Sequence, residues 1–269
     1  MGKRWPAIDV SLDVGGDPDL LLAAADDYSP TAVQEIAGGL RIFFTTSELR
    51  DRAARALHGA AVDVDDEDWA KRAQPMAPVM VGAITVEASH QSSVSSHQSS
   101  VSSQKSIVIP PSMGFGTGHH ATTRLCLAEL QKLDLHGKFV LDVGTGSGLL
   151  AIAAAKLGAA RALGTDDDPD AIQAARENLD LNHVTNVELV VADLMKDTLP
   201  QADVVVANLV GALIVRAAAR LTRAVAPGGV LILSGVLATE RQDVEQAVAN
   251  LGPASVVQED EWLAITIQS

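Results

Sequence analysis

The residues Asp142-Val143-Gly144-Thr145-Gly146-Ser147-Gly148 join the apolar run Phe139-Val140-Leu141 to an alanine-rich segment from Leu149 to Leu157. Glycines at such a junction let the backbone turn sharply and lie flat against a ligand, and the helix behind them offers unpaired N–H groups. Alone, the pattern is weak evidence, because an ordinary tight strand–helix turn shares it. Asp166 narrows it: it follows Gly164-Thr165, 22 positions beyond Gly144, where a carboxylate is placed to accept hydrogen bonds from ribose hydroxyls. The pair fits a dinucleotide or an adenosyl ligand. A dinucleotide fingerprint needs glycine at its first, third and sixth positions; counted from Gly144 the sixth residue is Leu149, and the third glycine comes early, at Gly148. Asn208 closes the run Asp203-Val204-Val205-Val206-Ala207, and an amide at a strand end can orient an incoming amine. Asp193 stands after Val187–Val191, where its simplest role is a strand-end cap.

These residues need a frame that brings strand ends together. From Ile107 to Ser269 strand and helix alternate. Strands are expected at 139–143, 161–165, 187–191, 204–207, 230–234 and 264–267. A helix is expected over 169–181, with Asp168 as cap and Pro169 in its first turn. Such alternation predicts an α/β fold, a doubly wound, mostly parallel sheet with helices on both faces. In open sheets of this kind the C-terminal strand ends line the ligand crevice.

Residues 1–72 read as a separate small α+β domain. Ile8, Val10, Leu12 and Val14 alternate with polar residues as a strand does, residues 18–28 suit a short helix, and 40–45 is strand-like. Ser47 is a candidate cap for a helix running to Ala60, and 61–64 closes the unit. A ferredoxin-like half-sandwich is the expected arrangement. Residues 73–106 read as a linker: although 79–87 is strand-like, Ser89–Ser95 (SHQSSVS) is repeated letter for letter by Ser96–Ser102. One valine per seven-mer is too little for a coiled-coil seam, and the rest cannot bury enough apolar area to offset its ordering entropy. His90 and His97 fall in this stretch.

Composition excludes several function classes. The chain has 269 residues, 47% of them hydrophobic, but no uncharged apolar run of membrane-spanning length. Its single cysteine, Cys126, rules out an internal disulfide; its apolar neighbours mark it as core. The N-terminus lacks the apolar core of a signal peptide, so the expected location is cytoplasmic. A formal net charge of −14 repels phosphate backbones and attracts basic proteins. No membrane contact, no direct nucleic-acid contact and a monomer are expected.

The early third glycine resembles class I methyltransferases, whose ligand is S-adenosylmethionine. Enzymes of that superfamily that methylate base or glutamine amides often carry Asn-Pro-Pro-Tyr where this chain has Asn208-Leu209-Val210-Gly211, so that subgroup is disfavoured. The most specific stretch is Met113-Gly114-Phe115-Gly116-Thr117-Gly118-His119-His120-Ala121-Thr122-Thr123. With the motifs that follow, it resembles the ribosomal-protein methyltransferase (PrmA-like) family, which modifies large-subunit ribosomal protein eleven. That family shows Ala-Phe-Gly-Thr-Gly-Thr-His-Pro-Thr-Thr here. The chain keeps Phe115, Gly116, Thr117, Gly118, His120, Thr122 and Thr123, and departs at Gly114, His119 and Ala121. Pro110 and Ser112 also stand where the family usually has Asp and Gly. The likeness is strong over 107–240 and weak over 1–106.

The resemblance implies a class I methyltransferase domain over 107–269 that binds S-adenosylmethionine. Thr123, Gly144, Asp166 and Asn208 map onto the family's ligand positions, with Gly146 beside them and Asp193 where the superfamily faces the adenine amine. Asn208 is also the candidate catalytic residue, and Phe115, Gly116, Thr117, Gly118 and His120 form the candidate substrate loop. His120 as a general base is a weaker expectation, and no metal is implied. The implied reaction is N-methylation of lysine, with an α-amine as second acceptor, on a basic ribosomal protein. Two alternatives stay open: a methyltransferase for another protein or a small amine, which the loop departures allow, and a binding module that has lost catalysis.

Overall fold

A computed structural model describes residues 4–11, 30–36, 38–65, 77–87, 105–110 and 118–269, together with Leu21, Ala25 and Tyr28. The chain divides into two compact units, residues 1–75 with 111–115, and residues 76–110 with 116–269.

The first unit is built on a four-stranded antiparallel sheet. Strands β1 (Arg4–Ser11), β2 (Pro30–Ile36), β3 (Gly39–Phe44) and β4 (Ala60–Asp65) lie in the order β2-β3-β1-β4. Alternation along β1 sends Ile8 and Val10 to one face, where they bury with Leu40, Ile42, Phe44 and Ala53. Ala53 belongs to helix α1 (Ser47–Ala56). The cap of α1 is Thr46, not Ser47: its Oγ1 accepts from Leu49 N at 3.2 Å. The strand order is that of the ferredoxin-like unit. Of the expected helix over 18–28 only isolated residues are described, and Leu12 and Val14 lie outside the described residues. β2 was not expected from the sequence.

The second unit begins earlier than residue 107. Strands β5 (Val79–Val81), β6 (Ile84–Glu87) and β7 (Lys105–Val108) form a three-stranded sheet, β5 and β6 as a hairpin and β6 parallel to β7. Ile84, Val86, Ile107 and Ile109 are buried in the same core as Cys126, Leu127, Leu130 and Val140. The expected linker over 73–106 therefore contains two strands of the large unit. The repeat itself, with His90 and His97, lies outside the described residues.

The main sheet has seven strands. They are β8 (Phe139–Val143), β9 (Arg161–Asp166), β10 (Val187–Val191), β11 (Ala202–Asn208), β12 (Val225–Leu237), β13 (Ala254–Glu259) and β14 (Trp262–Gln268). Their order is β10-β9-β8-β11-β12-β14-β13, with the first five parallel and β14 antiparallel to both neighbours. Helices α2 (Ala121–Leu130), α3 (Leu149–Lys156), α4 (Pro169–Leu181), α5 (Gly211–Ala224) and α6 (Arg241–Val248) complete the unit. Two apolar clusters cover the two faces: one holds Val140, Val204 and Val206 with Leu149–Ala154, the other Leu141, Val205 and Leu231 with Ile214, Ala217 and Val244. Strand order reverses between β8 and β11, which sets a crevice at their C-terminal ends. Among the described residues no helix is long and apolar enough to cross a membrane.

Candidate functional site

The glycine loop follows β8. Its backbone is pinned to the next strand: Gly144 N and Thr145 N both donate to Thr165 O, at 2.8 and 2.9 Å. Gly144 has φ +72°, and a Cβ there would lie 2.4 Å from Leu209 Cδ2. Gly148 has φ +80° and caps α3, where a Cβ would press on Ala175 at 3.1 Å. The positive φ strains any larger residue at these two positions, and at Gly144 Leu209 would also have to move, so the loop presents bare backbone to the crevice.

Asp166, at the end of β9, is half-buried. Its Oδ2 accepts from Gly146 N at 2.9 Å and its Oδ1 from Asp168 N at 3.1 Å. These bonds aim the carboxylate, and each oxygen keeps a further lone pair. Burial raises its pKa, against the pull of the two N–H groups. Asp168 caps α4 as expected, accepting from Asp170 N at 2.8 Å.

Asn208, at the end of β11, donates from Nδ2 to Thr123 Oγ1 at 3.4 Å. Thr123 is buried in the first turn of α2. Two expected ligand positions far apart in sequence thus meet between strand end and helix start. Asp193 behaves differently: Oδ1 accepts from Met195 N at 2.8 Å, and Oδ2 pairs with Lys196 Nζ at 2.6 Å. Lys196 and the Met195 N–H hold its pKa below the usual range. It caps the turn after β10, the simpler of its two expected roles.

Of the candidate substrate loop, Phe115, Gly116 and Thr117 lie outside the described residues. Gly118 packs on Val86, with φ +86°. His120 is the N-cap of α2: its Nδ1 accepts from Thr122 N at 3.4 Å and meets Thr122 Oγ1 at 2.8 Å. Its ring stands edge-on to Trp262, with centroids 4.9 Å apart. Burial, then Arg124, lowers its pKa, favouring a neutral imidazole with Nδ1 committed to the cap. His119 turns away, its Nε2 3.0 Å from Ala77 O. Among the described residues no cluster of three or more His, Cys, Asp or Glu is placed to hold a metal ion.

Sequence reasoning assigned no role to Asp142 or to the β13–β14 hairpin. Asp142 is 1% exposed beneath the glycine loop; its Oδ2 accepts from Thr145 Oγ1 at 2.6 Å and from Ala151 N at 3.1 Å. An acid inside the apolar run Phe139–Val143 was the available signal. The hairpin supplies Trp262 to His120, and Glu259 to Arg124 at 2.8 Å. No local spacing links residues so far apart.

A bare glycine loop, an aimed carboxylate and a polar strand end, on adjacent strands of this order, suit a nucleoside with a short polar extension. The fold and this edge define a class I methyltransferase, the group that uses S-adenosylmethionine. The chain belongs to the ribosomal protein L11 methyltransferase (PrmA) family, whose profile matches residues 41–269. It is 45% identical over 207 residues to the ribosomal protein L11 methyltransferase of Geobacter metallireducens, covering 76% of this chain and 67% of that one. The Salmonella arizonae protein of the same name is 46% identical over 163 residues, which are 60% of this chain and 55% of that protein. The match therefore spans between about half and two thirds of these relatives. Among solved structures, the ribosomal protein L11 methylase of Lactobacillus delbrueckii subsp. bulgaricus superposes with a TM-score of 0.64 at 27% identity, covering 72% of this chain and 98% of that one.

Proposed function

We propose that this chain methylates amines of ribosomal protein L11, lysine side chains first and an α-amine as second acceptor. The observation that carries the reading is the meeting of Asn208, at the end of the strand next to the glycine loop, with Thr123 in the first turn of α2. In this reading Gly144, Gly146, Asp166, Thr123 and Asn208 hold S-adenosylmethionine, with Asp193 at the rim, and Phe115–Gly118 with His120 face the substrate. Bound S-adenosylmethionine supplies a methyl group already activated on a sulfonium. What remains for the chain is alignment and control of water. Thr123 fixes the Asn208 amide with Nδ2 as donor, so Oδ1 is the acceptor for the incoming amine N–H. That amine must arrive unprotonated, which costs roughly 4.6 kcal/mol for a lysine at pH 7. A dry crevice lowers the cost by disfavouring the ammonium form. His120 is a cap in this scheme and takes no proton.

The net charge of −14 favours a basic protein partner over nucleic acid, and the enzyme is read as a cytoplasmic monomer. The test is incubation with S-adenosylmethionine and purified L11, followed by intact-mass and peptide analysis. Methyl groups on L11 lysines are expected, and none with Asn208→Ala. Asp166→Ala should weaken binding of S-adenosylmethionine by about 1.5–3 kcal/mol, the range for a lost charged hydrogen bond. Cofactor binding without methylation of L11 overturns the substrate; unchanged calorimetric affinity in Asp166→Ala overturns the site.

A further inference from the structure

Two buried asparagines, one on α4 and one at its C-terminal cap, have no part in the scheme above. Asn178 is 5% exposed and its neighbour one turn on, Asn182, is 7% exposed. Burying an amide is costly unless its groups are paired, and here the pairing is long-range. Asn182 Oδ1 accepts from Val108 N at 2.8 Å, and its Nδ2 donates to Val108 O at 2.7 Å and to Asn178 O at 2.8 Å. One side chain thus takes both backbone polar groups of the last residue of β7. Asn178 Nδ2 in turn donates to Ser147 O at 2.8 Å. Ser147 is buried and lies between Gly146 and Gly148.

These bonds form a continuous buried path: Val108, Asn182, Asn178, Ser147. Its ends differ in kind. Ser147 belongs to the glycine loop on the cofactor side. Val108 stands just before Ile109-Pro110, where the chain enters the segment carrying Phe115, Gly116 and Thr117. Ile109 N is itself held by Glu87 O at 2.8 Å, so the strand end is gripped on both sides. A buried hydrogen bond is costly to leave unmade, so a shift at either end is resisted along the whole path.

We propose that Asn178 and Asn182 are positioning residues that couple the root of the substrate loop to the glycine loop, linking cofactor binding to capture of the protein substrate. The inference rests on the methyltransferase reading above. The relay differs from simple packing in one respect. Asn182 has no bond to the glycine loop, yet its removal acts on cofactor affinity.

The test uses the full chain with Asn178→Ala, Asn182→Ala and the double variant. Among the described residues, Asn178→Ala removes the side-chain bond to Ser147 and keeps the bond from Asn182, which goes to the Asn178 backbone. S-adenosylhomocysteine affinity is measured by calorimetry, KM and kcat with L11, and melting temperature alongside. Each single variant should weaken S-adenosylhomocysteine binding by about three- to tenfold. Asn182→Ala should also raise the KM for L11 more than it lowers kcat. The double variant should bind S-adenosylhomocysteine no worse than the weaker single variant, as members of one path do. Lower melting temperatures with wild-type affinity and KM would overturn the relay and leave a structural role. If Asn182→Ala does not fold, wild-type affinity in Asn178→Ala alone overturns it. If wild-type protein leaves L11 unmethylated, the substrate reading fails, and the S-adenosylhomocysteine arm still decides the relay.

Discussion

Asp142 shows how one residue sets the behaviour of the glycine loop. Its strand is apolar on both sides because a central parallel strand is covered on both faces. The carboxyl is tolerated there because Thr145 and Ala151 donate to one oxygen; the other, Oδ1, has no partner among the described residues. Burial, and secondarily the like charge of Asp166, pushes its pKa up to about 7, against the two donors. The sign follows from linkage. Between about pH 4, the ordinary carboxylate value, and about pH 7 the folded chain keeps this proton while the unfolded chain has lost it. Stability contributed at this position therefore falls as pH rises through that window and levels off above it. Asp142→Asn keeps an oxygen for Thr145 and Ala151 and removes the titration. The melting temperature of the variant relative to wild type should rise steadily from pH 5 to pH 7, then hold constant. Parallel curves for the two proteins would show that the carboxyl stays ionised in the fold.

At the scale of elements, the parallel pairing of β6 with β7 places a demand on the repeat that joins them. The register runs from Ile84↔Lys105 to Glu87↔Val108, so residues 88–104 must return the chain over about 11 Å. Parallel crossovers need at least 10–12 residues or so. Removing Ser96–Ser102 leaves a connection near that limit, and the melting temperature should change by no more than a degree or two. Removing both seven-mers leaves too few residues, and β7 should detach from β6. For a domain of this size a loss of 1 kcal/mol lowers the melting temperature by about 2–4 °C, so a drop of several degrees is expected. Replacing both seven-mers by Gly/Ser of equal length should have no effect; a comparable drop there would mean that the repeat packs. The same elements show what was legible in the sequence. The glycine loop, Asp166, Asn208 and the strands carrying them declare themselves through local period and spacing. The Asp168 cap does so too, because its partner lies two residues away. β5 and β6 read as strand-like but fall within the expected linker, because β6 pairs with β7 only across the repeat and its core partners, Cys126 to Val140, lie further along the chain. The Thr46 cap differs from Ser47 by one residue, within the ambiguity of adjacent hydroxyl side chains. Asn182 and Trp262 act through contacts that no sequence window contains.

At the scale of the whole molecule, two units divide the work in a way the core composition makes testable. All residues proposed to hold the cofactor fall in the unit containing 76–110 and 116–269, and among the described residues of 1–75 no cluster of three or more His, Cys, Asp or Glu is placed to hold a metal ion. We propose that the first unit captures the protein substrate and, being part of the same chain, raises the effective concentration of the substrate's lysines at the second. A boundary drawn near residue 104, just ahead of β7, would sever β5 and β6 and strip Ile84 and Val86 from the main core, where both are buried. Burial of two such side chains is worth about 3–6 kcal/mol, against a total stability of about 5–15 kcal/mol for a domain. A chain spanning 76–269 should therefore fold, with S-adenosylmethionine affinity close to that of the full chain. A chain spanning 104–269 should melt far lower or fail to fold. The longer of the two should methylate L11 with a raised KM and a smaller change in kcat, because capture is lost while the crevice is intact. Thermal melts, calorimetry with S-adenosylmethionine and steady-state kinetics on both chains decide the matter. Equal stability of the two would refute the placement of β5 and β6 in the catalytic core. Full activity of 76–269 on L11 would refute the capture role, because the second unit would then recognise its substrate unaided.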